Sequence, residues 1–330
     1  MKRTALIVLV GLILIVVSAC SPTTPAAEST PPPLEPTEVV PTAVVEPDQP
    51  IEETVDIPEI TIDAADYSFT APDPVREGWV RVRLTNSGTE PHHAQFMRLN
   101  DGVSLEQFQT ALQEGAGPAL ALVQQMGGVG AIAPAGSAQV ALQMPAGEYV
   151  ILCFIESPSD HLPHLAKGMV QPFTVQAADG PSADAPTADL TIRLKDFSFD
   201  MPETLPAGYT TIQVVNDGPE AHEWNIMRLA EGMTLEDAQQ YLAAPEGPPP
   251  FLLVGGMNGL SAGLTGFVET DLLPGTYIAI CNIPSPANDG HAHATLGMIK
   301  EFTVTGPTAV VDFPVGKFVD PEASFAGFYY

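Results

Sequence analysis

The chain contains one domain-length segment twice, at a period of about 129 residues, and a period that long means tandem domains and excludes a solenoid. DYSFTAPDPVREGWVRVRLTNSGTEPHHAQFMRL (66–99) lies without a gap over DFSFDMPETLPAGYTTIQVVNDGPEAHEWNIMRL (196–229). The match puts Pro72 on Pro202, Gly78 on Gly208, Asn86 on Asn216, His92 on His222 and Met97-Arg98-Leu99 on Met227-Arg228-Leu229. GEYVILC then matches GTYIAIC, and GMVQPFTV matches GMIKEFTV.

Within each copy the pattern is mainly β. Val80, Val82 and Leu84 alternate with Arg81, Arg83 and Thr85, the period of a half-buried strand. YVILCF and YIAIC are apolar on both faces, as a central sandwich strand should be. One helix per copy is predicted, N-capped by Ser104 or Thr234, with Leu105, Phe108 and Leu112, or Leu235, Ala238 and Leu242, facing inward. The Gly-rich runs QQMGGVGAIAPAG and GGMNGLSAGLTG read as long loops. The expected class is all-β: two tandem Greek-key β-sandwiches, each with a short helical insertion.

The N-terminus reads differently. Lys2 and Arg3 precede an apolar run, Ala5 to Val17, too short to span a membrane and suited to a signal peptide. Val17-Ser18-Ala19-Cys20 resembles the lipobox of bacterial lipoproteins, which implies cleavage after residue 19 and lipid on Cys20. Residues 20–54 are rich in Pro and Thr and read as an extended tether. Domain 1 is then expected over 55–178, a linker over 179–187, domain 2 over 188–305 and a tail over 306–330. The expected location is the cell envelope, outside the cytoplasm, lipid-anchored to a membrane. Without Lys2 and Arg3, 10 basic residues face 40 acidic ones, a net charge of −30. Such a surface repels nucleic acid and favours a partner with a basic surface.

The chain has three cysteines and seven histidines. With Cys20 assigned to lipid, Cys153 and Cys281 are single thiols in two domains, a liability outside the cytoplasm unless buried or ligated. All seven histidines fall in matching windows: His92, His93, His161 and His164 in the first copy, His222, His291 and His293 in the second. Each copy offers a His, then a Cys ending a buried strand, then a His and a Met separated by four residues (His164 to Met169, His293 to Met298). Thiolate, two imidazoles and a weak thioether suit a mononuclear copper site in both oxidation states.

These residues, NSGTEPHH and C…PHLAKGM…FTV, resemble the cupredoxins, the blue copper proteins. The resemblance covers nearly all of 60–177 and 190–305, and it implies up to two type 1 coppers. His92, Cys153, His164 and Met169 would ligate one, and His222, Cys281, His293 and Met298 the other. It implies that Asn86 and Asn216 tie the loop carrying the first His, and that the C-terminal His lies nearest the surface and passes the electron. His93 aligns with Glu223 and is expected to be a surface neighbour; His161 and His291 are expected in loops or behind the ligands.

The implied function is a membrane-anchored electron carrier with a redox protein as partner. A copper-trafficking lipoprotein without redox partners and a metal-free β-sandwich interaction module are the alternatives. A two-domain copper oxidase or nitrite reductase is not expected, because four histidines are committed to type 1 sites and three remain for further copper centres.

Overall fold

The computed structural model describes residues 55–307; Cys20, the signal peptide, the tether to residue 54 and the tail beyond 307 lie outside them. The first repeat runs β1 (Glu59–Ala65), β2 (Ser68–Thr70), β3 (Val75–Arg76), β4 (Gly78–Asn86), β5 (His92–Leu99), α1 (Leu105–Glu114), α2 (Ala116–Leu120), β6 (Val123–Ile132), β7 (Ser137–Met144), β8 (Gly147–Leu152) and β9 (Val170–Gln176). The second repeats this order without a counterpart of α2, so the one helix expected per copy is two in the first repeat: β10 (Leu190–Lys195), β11 (Ser198–Asp200), β12 (Thr204–Pro206), β13 (Gly208–Asn216), β14 (His222–Leu229), α3 (Leu235–Ala243), β15 (Phe251–Leu260), β16 (Thr265–Leu272), β17 (Gly275–Ile280) and β18 (Ile299–Thr305).

The strands form two sheets, as the all-β expectation requires. One has the order β11-β10-β13-β16-β7-β4-β1-β2 and the other β12-β18-β17-β14-β15-β6-β5-β8-β9-β3. Each order reads the same from either end once the repeats are equated. Both sheets cross from repeat to repeat through an antiparallel pair, and the centre of each pair joins a residue to its own counterpart: Val129 to Met257, and Val140 to Val268. Around that centre the contacts are reciprocal, Ile132 with Val254 and Leu260 with Met126. This is the self-complementary geometry of a two-fold dimer built within one chain. It also covers what would be four open sheet edges.

Here the structure corrects one expectation. The Gly-rich runs are not long loops; most of the first lies in β6 and half of the second in β15, the strands at the joint, followed by short turns into β7 and β16. β5 against β6, and β14 against β15, carry bulges. At the bulge a Cβ on Gly128 would meet the Ala94 carbonyl oxygen at 1.9 Å, and one on Gly256 the Trp224 carbonyl oxygen at 2.1 Å. Both have positive φ (149° and 108°), so only glycine lets the chains approach this closely.

The strands that carry the cysteines are apolar on both faces because both are covered. Ile151 and Cys153 enter the core between the sheets with Phe96 and Phe173. Val150 and Leu152 face outward onto Phe108 and Ala111 of α1. α1 starts with a capping box, in which the Ser104 hydroxyl accepts from the Gln107 amide and Gln107 returns to the Ser104 amide. Burying Phe108 stabilises this layer by roughly 1.5–3 kcal/mol. α3 repeats the arrangement with Thr234 and Asp237 at its cap and Ala238 buried. Leu242, expected inside, is 42% exposed, because α3 ends at Ala243 and the chain leaves the sheet there.

Candidate metal centre

Asn86, at the end of β4, fixes the loop before His92. Its Nδ2 donates to the carbonyls of Glu90 (2.8 Å) and Ile132 (3.3 Å), and its Oδ1 accepts from the Gly88 amide (2.9 Å). Asn216 repeats this with Glu220, Leu260 and Gly218. β5 and β14 then open on His92 and His222. Cys153 and Cys281 directly follow β8 and β17. His164 and His293 each begin a 3₁₀ turn, closed by a left-handed glycine, Gly168 or Gly297, just before the Met. Backbone bonds fold the loop onto itself. The amide of Leu165 reaches the Cys153 carbonyl (2.9 Å) and that of Met169 the His164 carbonyl (3.0 Å). In the second copy Ala294 reaches Cys281 (2.7 Å) and Met298 reaches His293 (2.9 Å).

These elements bring His92, Cys153 and His164 together, and likewise His222, Cys281 and His293; in each trio the ligand atoms all lie within 4.8 Å of one another and all three side chains are buried. His92 Nδ1 is 3.1 Å from His164 Nδ1, and Cys153 Sγ 3.4 Å from His164 Nδ1. The second copy gives 2.9 Å and 3.3 Å. Atoms bound to one metal ion at about 2.0–2.3 Å fall within such a span. Met169 and Met298 are fully buried in the same core as the cysteines.

The outer nitrogens decide what the inner ones can be. Every imidazole of the two trios has a carboxylate at Nε2: Asp66 on His92 (3.1 Å), Glu90 on His164 (2.8 Å), Asp196 on His222 (2.5 Å) and Glu220 on His293 (3.0 Å). An ionised carboxylate only accepts, so Nε2 carries the proton and a neutral ring keeps a bare lone pair on Nδ1. Burial holds His92 and His222 below the ordinary imidazole range, which favours the neutral form. Two bare Nδ1 atoms then face each other across about 3 Å of buried space in each repeat. Without a cation between them both are unsatisfied, an arrangement proteins avoid. Burial also pushes the Cys153 thiol up to about 12, and Cys281 well above its ordinary value. Thiols buried this way ionise only against a compensating charge such as a metal ion. The donor set therefore fits a thiophilic cation, and two His–Cys–His trios of this kind are compatible with type 1 copper.

One expectation about the surroundings changes. His93 is not a surface neighbour. It is buried, and its Nε2 accepts from the Phe154 amide, next to Cys153, at 2.8 Å. Its counterpart Glu223 accepts from the Asn282 amide at 2.7 Å. The outer face of β5 and β14 is covered, so alternation did not carry this position to solvent. Desolvation takes His93 down to about 3 and Glu223 up to about 7. All four ring ligands, the C-terminal His of each trio included, are 0% exposed; His164 and His293 lie under Glu90 and Glu220 and beside the rings of Tyr67 (centroids 5.3 Å apart) and Phe197 (4.8 Å). The four carboxylates were missed, although Asp66 matches Asp196 and Glu90 matches Glu220 in the internal alignment. His161 and His291 are exposed loop residues, outside both trios.

No protein-family model matches the chain, and no curated protein matches it. Solved structures similar to it include an auracyanin from Roseiflexus castenholzii, 24% identical over 37% of this chain and 100% of that one, TM-score 0.26. They also include a multicopper oxidase, 19% identical over 75% of this chain and 88% of that one, TM-score 0.22. A copper nitrite reductase from Nitrosomonas europaea is 14% identical over 76% of this chain and 94% of that one, TM-score 0.23. Enzymes thus stand among the similar structures, and the exclusion of an enzyme drawn from the histidine count is corrected. That count bears only on copper centres built inside one chain and leaves centres shared between chains open.

Proposed function

We propose that this chain is a membrane-tethered electron carrier with one type 1 copper per repeat. His92, Cys153, His164 and Met169 hold the first, and His222, Cys281, His293 and Met298 the second. The observation that carries the reading is the buried pair of facing Nδ1 atoms beside a thiol, present in both repeats. When bound, copper would supply a one-electron couple. The chain's own residues do the rest. The carboxylates fix each ring and its tautomer. The turn backbone fixes the spacing of Cys, His and Met. Burial excludes water, so the ligands have little freedom to rearrange between oxidation states. The acidic surface steers a basic redox partner, and lipid on Cys20 holds the carrier at the membrane.

The test separates a carrier from a trafficking protein. The full copper-loaded chain is cycled with ascorbate and ferricyanide in the presence of a copper chelator. A carrier bleaches and recovers its visible band over repeated cycles and keeps both coppers. Loss of metal to the chelator on the first reduction would contradict the reading.

A further inference from the structure

The two trios and their Nε2 carboxylates match residue for residue, which isolates the contacts that do not. One is the aromatic over the C-terminal His. The Tyr67 hydroxyl donates to Glu90 Oε1 at 3.0 Å, and Ser157 donates to the same oxygen at 2.9 Å. Phe197 has no hydroxyl, so Glu220 accepts from Ser285 (3.0 Å) and pairs with His293 without that third donor. Each donor draws charge from the carboxylate. Glu220, with one fewer, makes His293 the more electron-donating ring.

The missing hydroxyl sets a direction. We infer that the two centres have different reduction potentials, the His222–Cys281–His293 centre below the His92–Cys153–His164 centre. This rests on the copper reading above and orders the two sites within it. Each centre takes one electron from an external donor, copper(II) becoming copper(I), with no bond made or broken. A partner supplying electrons one at a time fills the first-repeat centre before the second. The second-repeat centre is then the stronger reductant of the pair.

The experiment is a potentiometric titration of the full copper-loaded chain, followed by its visible band. Two one-electron waves are expected, separated by at least a tenfold difference in reduction equilibrium, about 59 mV. Cys153→Ser should leave the lower wave and Cys281→Ser the upper. Phe197→Tyr, which restores the missing donor, should raise the lower wave with the band retained. Coincident waves, the reverse order, or a lower wave unmoved by Phe197→Tyr in a chain that binds two coppers overturn this inference alone. A chain that binds no copper overturns the metal reading and this one with it.

Discussion

Glu90 Oε2 lies 2.8 Å from His164 Nε2, and Glu220 Oε2 lies 3.0 Å from His293 Nε2. In each repeat a mostly buried carboxylate thus closes over the imidazole that the cupredoxin resemblance places nearest to solvent. Asn86 and Asn216 hold the loops on which these glutamates sit. The lid, the loop and the ligand therefore form one unit.

Removing that carboxylate should loosen the ring it orients. Glu90→Ala is expected to weaken copper binding in the first repeat by about 10–100-fold, with the second repeat unchanged. Competition titration against a chelator of known affinity measures both. Glu90→Gln, which still accepts from the ring, should lose less. Equal affinity in Glu90→Ala and the parent chain would show that the lid does not position the ligand.

Metal should stabilise the fold, because the facing Nδ1 atoms and the buried thiols are satisfied only when it is bound. At a free concentration 100 times the dissociation constant, each site should add about 2.7 kcal/mol. Calorimetry of the loaded and the metal-free chain checks this. Cys153→Ser should remove the first repeat's share and leave the second's.

The joint between repeats makes its own prediction. The Glu269 side chain is 2% exposed and pairs with Arg81 of the other repeat, Nε to Oε2 at 2.9 Å, while Gln139 also donates to it. Glu269→Ala strands the guanidinium and should cost about 2 kcal/mol. For a chain of this size that lowers the melting temperature by about 4–8 °C. A change below 1 °C would count against a structural role for the pair.

Gly128→Ala and Gly102→Ala separate close approach from backbone strain. Both positions have positive φ, but a Cβ at Gly102 meets nothing within 4 Å, while at Gly128 it meets the Ala94 carbonyl at 1.9 Å. Gly102→Ala should cost about 1 kcal/mol. Gly128→Ala should cost about 3 kcal/mol, read from denaturant midpoints.

The internal repeat made the trios legible. His92, Cys153, His164 and their counterparts stand out because ligand types recur at matched positions while the intervening residues differ. α1 and α3 were legible from Ser104 and Thr234 with their apolar faces, apart from Leu242, while the five-residue α2, with no side-chain cap, was not. The joint was not. Gly128 and Gly256 look like loop residues in isolation, and only the approach of β5 or β14 explains them. His93 misled because its strand is covered on both faces, and its own side chain lies against Phe154, 61 residues along the chain. The carboxylates escaped notice because Asp66 and Glu90 reach the site from two different segments, and an acidic chain hides four useful carboxylates among many.

The most direct measurement is a Cu(II) titration of the full chain followed by its visible spectrum, with Cys153→Ser and Cys281→Ser alongside. An intense sulfur-to-copper charge-transfer band that saturates at two coppers per chain is expected, with one copper and part of the band lost in each variant. A colourless chain that takes up no copper, or a band that survives loss of both thiols, would contradict it.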